Sequence, residues 1–282
     1  MKRRPAVDTR IGMIRDLRTI LEGWDFEPGK ISVRKIIGRD GREKIQTRID
    51  LGVLQLECHD RPDGQRPHGC ESLLEYHLQR LREHIEINGD DEDFILSPED
   101  CRELRHEAYL YYQRYLSLFV LEEFDGVERD TARNCRLIDL CERYAATEAD
   151  RQSLCRQRAY VMMMNTRARA YLAAGNARYD TALQIVDEGV ANLEALDAPS
   201  EDENPHAGEM NTLRALRHEI LEGMPADAPA KLRSDLQLAL DCEDYERAAQ
   251  LRDRLAQAQQ RMQPATPTTI SLPRDKAGPA SH

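Results

Sequence analysis

Apolar and polar residues alternate in one stretch of the chain and recur at three- and four-residue spacing almost everywhere else. The alternation runs through Ile45, Thr47, Ile49, Leu51 and Val53, with Gln46, Arg48 and Asp50 between them, the period of a half-buried strand. At Gly52-Val53-Leu54 the phase slips by one, and Leu54 and Leu56 carry the apolar face onward. A glycine beside such a slip predicts a β-bulge. Gly38-Arg39-Asp40-Gly41 is a turn, so 31–37 and 43–57 are expected to pair as a hairpin. A short helix at about 11–22 precedes it, with Ile11, Ile14, Leu17, Ile20 and Leu21 on one stripe. A lone hairpin is marginal in water, so this one should pack on helices or on a second copy.

Beyond Cys70 the period is helical. Leu73, Leu74, His77, Leu78, Leu81 and Ile85 lead to the stop signal Asn88-Gly89. Ser97-Pro98-Glu99-Asp100 then opens a helix with an N-cap serine, proline at the first helical position and carboxylates on the dipole. That helix runs to about 122, breaks at Phe124-Asp125-Gly126 and gives a partner at about 128–146. A helix at about 150–174 breaks at Gly175-Asn176-Ala177, and its partner reaches about 196. Asp130-Thr131-Ala132 and Asp180-Thr181-Ala182, 50 residues apart, sit at what reads as the same place in the two second helices. Repeated helical hairpins predict a short solenoid. An acidic, proline-flanked linker at 198–205 precedes a helix at about 207–223, and the tail 263–282 reads as disordered. The expected fold is mostly α with a small α+β N-terminal domain. The expected pieces are a 1–90 domain, a helical-hairpin array at 97–223 and a C-terminal helical hairpin at 228–262.

Composition narrows the function. The 282 residues carry a net charge of −11, which argues against a chain-wide duplex-DNA binder. No run approaches the ~18 apolar residues of a membrane span. The positive start Met1-Lys2-Arg3-Arg4 is followed by Asp8 and Arg10 rather than by the apolar core of an export signal. Seven scattered cysteines read as reduced thiols, so a cytoplasmic location is expected. No phosphate-cradling G-x-x-x-x-G-K-[ST], no G-x-S-x-G and no H-E-x-x-H occurs. A non-enzymatic chain without cofactor is the expectation. Cys58, His59, His68 and Cys70 flank a turn-rich loop but lack finger spacing, so no metal site is assigned. Tyr109, Tyr111, Tyr112 and Tyr115, like Met162-Met163-Met164, read as core positions at helical spacing.

The most specific local pattern is 231–255. Leu232, Leu236, Ala239 and Leu240 mark one helix face; Asp241-Cys242-Glu243-Asp244 is a polar break, with Asp244 placed to cap the second helix. Next comes Tyr245-Glu246-Arg247-Ala248-Ala249-Gln250-Leu251-Arg252-Asp253-Arg254-Leu255. This string resembles the UVR motif of excinuclease ABC subunits B and C, whose pattern centres on F-E-x-A-A-x-L-R-D-x-[IL], with tyrosine here in place of phenylalanine. The resemblance covers about an eighth of the chain and implies a helical hairpin that docks on another copy or on another protein, as it does in Clp-type ATPases and in an activator of a protein-arginine kinase. It makes Leu232, Leu236, Leu240, Tyr245, Ala248, Ala249, Leu251 and Leu255 the expected contact residues, with Glu246, Arg252 and Asp253 at the rim. More weakly, Ala168, Tyr171, Gly175, Tyr179, Ala182 and Val186 resemble the small and aromatic positions of tetratricopeptide repeats, although the turn is longer than theirs.

The resulting expectation is an adaptor that holds a protein partner through its C-terminal hairpin. The second reading is an accessory DNA-binding factor in nucleotide excision repair. That reading uses Lys30, Arg34, Lys35, Arg39, Arg42, Lys44 and Arg48, a basic ribbon within an acidic chain. Interleaved Glu27, Asp40, Glu43 and Asp50 favour an ordinary solvated sheet face instead.

Overall fold

The computed structural model describes residues 17–196 and 206–262. The expected tail at 263–282, the first half (11–16) of the expected first helix and the linker at 198–205 lie outside the described residues. Described residues form nine helices and one three-stranded antiparallel sheet, a mostly helical fold. The chain divides into two compact units, one ending at Arg217 and one beginning at His218.

In the first unit the one-turn helix α1 (Arg18–Leu21) precedes β1 (Val33–Ile37), β2 (Glu43–Ile49) and β3 (Gly52–Glu57), in the order β1-β2-β3. The first hairpin is as expected, but 43–57 is not one bulged strand. Ile49 pairs with Gly52, so Asp50-Leu51 is a two-residue turn and the chain reverses there. The phase slip in the sequence is this reversal. It returns Leu54 and Leu56 opposite Thr47 and Ile45 on the same face and leaves Leu51 88% exposed at the tip.

The helices α2 (Leu73–Asn88), α3 (Pro98–Val120), α4 (Phe124–Tyr144), α5 (Glu148–Gly175) and α6 (Tyr179–Glu194) come next, and α7 (Ala207–Gly223) spans the boundary between the units. Local chemistry sets their ends. Ser97 and Asp100 form a reciprocal capping box at 3.1 and 2.9 Å with Pro98 at the first position. Gly89 ends α2 in the left-handed region, its N–H on the Ile85 carbonyl. Leu74, Leu96, Cys101, Leu104, Leu137 and Cys141 fill the core between α2, α3 and α4. Tyr111, Tyr115, Met163 and Met164 are buried, as their helical spacing implied, but Tyr112 and Met162 are half-buried and Tyr109 is exposed. The triplets at 130 and 180 are not equivalent: Asp130 lies two turns into α4 and is buried, whereas Asp180 follows the first residue of α6 and is exposed.

A buried ionic network joins sheet and helices. The Arg114 guanidinium grips Asp130 through two parallel hydrogen bonds of 2.6 and 2.8 Å, both side chains 1% exposed. Its remaining arm donates to the carbonyls of Glu57 and Asp60, at the end of β3. Glu107, fully buried on α3, accepts the first N–H groups of α2, from Leu73 at 2.8 Å and Leu74 at 3.1 Å. The same carboxylate pairs with Arg133 and Arg61. The Tyr111 ring lies under both Arg133 and Arg114, and burial pushes the Arg133 guanidinium down to about 9. Thr47 of β2 shares a 2.7 Å hydrogen bond with Ser117 of α3.

These buried groups set two expectations for stability. Asp130→Ala strands a buried cation and should lower unfolding stability by about 3–5 kcal/mol, whereas Arg114→Met with Asp130→Leu should lose far less. Urea unfolding of the two variants measures the difference. His77 is 1% exposed, and burial pushes its pKa down to about 4, against an opposing pull from Asp100. The unfolded chain, with histidine at its ordinary ~6.5, takes up this proton first. The contribution is therefore complete above about 6.5 and falls, by at most about 3 kcal/mol, as pH drops toward 4. His77→Gln should flatten that part of a stability–pH curve.

Candidate docking site

The second unit contains α8 (Pro229–Asp241) and α9 (Tyr245–Met262), an antiparallel hairpin. Leu232, Ala239, Ala248 and Leu251 are buried together, with Leu236, Leu255 and Ala258 packed against them. The turn closes through Asp244 N–H to the Ala239 carbonyl (2.8 Å) and Glu243 N–H to the Leu240 carbonyl (3.0 Å). Glu243 takes the left-handed φ of 57°. Asp244 caps α9 as its position implied, accepting the Arg247 N–H at 3.1 Å.

This geometry sorts the expected contact residues into two groups. Leu232, Leu236, Ala248, Leu251 and Leu255 form the seam between α8 and α9, and so are occupied within the chain. Leu240, Tyr245, Glu246, Ala249, Arg252 and Asp253 face solvent. Tyr245 is 68% exposed, and Arg252 and Asp253 pair with each other at 3.5 Å. On α9, Tyr245, Ala249, Arg252 and Ala256 follow one another at spacings of four, three and four, which makes one continuous stripe beside the seam.

The same turn occurs twice earlier. Between α3 and α4, Glu123 N–H bonds Leu118 and Glu122 N–H bonds Phe119, with Glu122 at φ 58°. Between α5 and α6, Arg178 N–H bonds Ala173 and Ala177 N–H bonds Ala174, with Ala177 at φ 56°. Each is a Schellman closure around a left-handed residue. In all three the next helix opens with an aromatic, then an acid, then a buried small residue at the fourth position. The strings are Phe124-Asp125-Gly126-Val127, Tyr179-Asp180-Thr181-Ala182 and Tyr245-Glu246-Arg247-Ala248. Sequence reasoning missed this register because it matched the Asp-Thr-Ala triplets. The signal available was an aromatic–acid pair two residues after a left-handed turn position.

With the turns aligned, the faces align. In α4, Asp130 and Asn134 bond α3, and Val127 and Leu137 are buried in the same rows; Ala248, Leu251, Leu255 and Ala258 are their counterparts in α9. The neighbouring row of α4 carries α5. Phe124 stacks on Tyr171 at 4.7 Å, and Asn165 donates to Thr131 Oγ1 and to the Glu128 carbonyl. In α6, Gly189 lies so close to α5 that a Cβ there would stand 2.5 Å from Thr166 Cγ2. The other side of α6 meets α7 through Asp187–Arg217 and Glu194–Arg214 ion pairs. Tyr245, Ala249, Arg252 and Ala256 occupy the rows that hold the following helix in α4, and among the described residues none lies on them.

The basic ribbon is differently disposed. A cleft of about 750 Å³ runs over the sheet, lined in part by Arg34, Lys44, Gln46 and Glu57. Of its cations, Lys44 pairs with Asp40 and Glu57, and Arg34 donates to Gln46 and the Ile20 carbonyl, while Arg39 lines the cleft exposed. Nearby, Lys35 pairs with Glu43 and Glu123, Lys30 with Glu27, and Arg48 with the Trp24 carbonyl. Among the described residues no cluster of three or more His, Cys, Asp or Glu side chains could hold a metal ion, and no helix is long and apolar enough to cross a membrane. Cys58 is buried, which pushes its thiol pKa up. No protein-family model, curated protein or solved structure matches the chain.

The two alanines of the hairpin should respond differently to bulk. Ala248→Arg drives a charge into the seam and should open the hairpin to limited proteolysis, while Ala249→Arg should leave its protease resistance unchanged.

Proposed function

We propose that this protein is a non-enzymatic cytoplasmic adaptor that captures a partner protein on the outer stripe of α9. The observation that carries the reading is the bare row Tyr245, Ala249, Arg252 and Ala256, whose counterparts in α4 are covered by a packed helix. Alanines at 249 and 256 let a second backbone approach closely. Tyr245 supplies apolar area with a polar end, of the kind enriched at interface centres. Exposed Arg252 and Asp253 set register and partner choice more than affinity. The resemblance of 245–255 to the UVR motif supports the same role, because that motif serves protein contact. The division of contact residues gives the two adjacent alanines of the pattern separate tasks: Ala248 closes the hairpin, and Ala249 remains for the partner. The excision-repair reading is weakened at the sheet, where Lys30, Lys35 and Lys44 are each paired with carboxylates.

Photo-cross-linking tests this. A benzoylphenylalanine placed at position 245 of the full chain, in cells that make the protein, should yield a discrete adduct that Ala249→Arg removes. A chain giving no adduct sensitive to Ala249→Arg overturns the reading.

A further inference from the structure

We infer that the partner segment is a helix running antiparallel to α9 that presents a carboxylate and, six residues toward its C-terminus, an aromatic ring. This rests on the docking reading above and adds the chemistry of the occupant. The template is inside the molecule. Helix α5 lies antiparallel on the equivalent row of α4: Tyr171, near its end, stacks on Phe124 at the start of α4, while Arg158, in its first half, reaches Asp139 and Glu142 near the end of α4. Between them Asn165 bonds Thr131 and the Glu128 carbonyl.

Replacing the α4 row by the α9 row changes what the occupant must carry. Phe124 becomes Tyr245, so the demand for a flat ring where α5 has Tyr171 persists. Thr131, whose hydroxyl accepts from Asn165, becomes Arg252, which can only donate. The residue in the Asn165 position must therefore accept; an amide oxygen can do so, and a carboxylate does so more strongly, with a charge-assisted bond. Arg252 is available for it, because among the described residues its ion pair is with Asp253 at 3.5 Å, and both side chains are about 70% exposed. Glu128 becomes Ala249, which lowers the wall between the two anchor points, and Cys135 becomes Ala256 one turn beyond them; both changes favour closer helix approach. The six-residue spacing is that of Asn165 and Tyr171. A second copy offering its own α9 does not satisfy it: six residues beyond Glu246 stands Arg252, and beyond Glu243 stands Ala249.

Helix α5 supplies the probe. A fluorescent peptide of residues 156–175 carrying Asn165→Glu is titrated against the full chain, with anisotropy as the readout. It should bind at least tenfold more tightly than the unaltered peptide, and Tyr171→Ala in the peptide should remove that gain. Arg252→Glu in the chain should abolish the preference, and a peptide with Asn165→Lys should restore binding to that variant. Equal binding of the Asn165→Glu and unaltered peptides, absence of binding, or failure of the charge swap overturns the partner chemistry. In that event a persisting adduct at position 245 leaves the docking reading standing, and its absence removes both. Self-association that Ala249→Arg abolishes would assign the stripe to a second copy and also overturn the proposal.

Discussion

The first unit depends on the buried pair of Arg114 and Asp130. Either group alone in that interior would be strongly unfavourable, and together they are tolerated because every arm of the guanidinium is used. Two arms hold the carboxylate of α4, and the third holds two carbonyls at the end of β3. A three-stranded sheet is at the lower limit of independent stability, and packing against helices supports it. It is held because a helix pair reaches out to the loop that ends it. Glu107 does the complementary task earlier on α3, where its carboxylate satisfies the opening N–H groups of α2 and compensates Arg61 and Arg133.

From α3 onward the chain reuses one solution to one problem. A helix must end, reverse and lay its successor against itself, and the closure with a left-handed residue achieves this three times. None of the three left-handed positions is glycine, so each carries some backbone strain. The hydrogen bonds of the closure and the small residue at the fourth position of the next helix offset it. Because the turn fixes the roll of the second helix, it also fixes which row faces back and which faces forward. The forward row of α9 is therefore defined by the same geometry that places α5 on α4.

Much of this was legible in the sequence, and the failures have physical causes. Helix boundaries followed from caps such as Ser97 and Gly89, because capping chemistry is local. The mostly helical fold with a small sheet followed from the two periods. The second sheet turn was misread because Asp50-Leu51 puts a leucine where a turn favours a polar residue, which made the strand look continuous. The buried role of Arg114 and Glu107 left no trace, since a charged residue in a helix reads as exposed unless its partners are known. At the candidate site, the sequence pattern named the residues of the hairpin, but their division into a buried seam and an exposed row was not legible. Adjacent alanines look alike until the turn sets the roll of α9.

The link between Arg114 and the β3 end also bears on the order in which the chain assembles. Hairpins such as α8–α9 and α5–α6 close over short loops and need only neighbours in sequence. The Arg114 contacts to the Glu57 and Asp60 carbonyls span 57 and 54 residues, and closing such a distance carries a larger entropic barrier. The helical pairs are thus the early structure and the sheet docks late, onto a guanidinium already fixed by Asp130. A nascent chain would hold its sheet undocked until α4 has left the ribosome, so the edge strands β1 and β3 are the segments open to wrong pairing during synthesis.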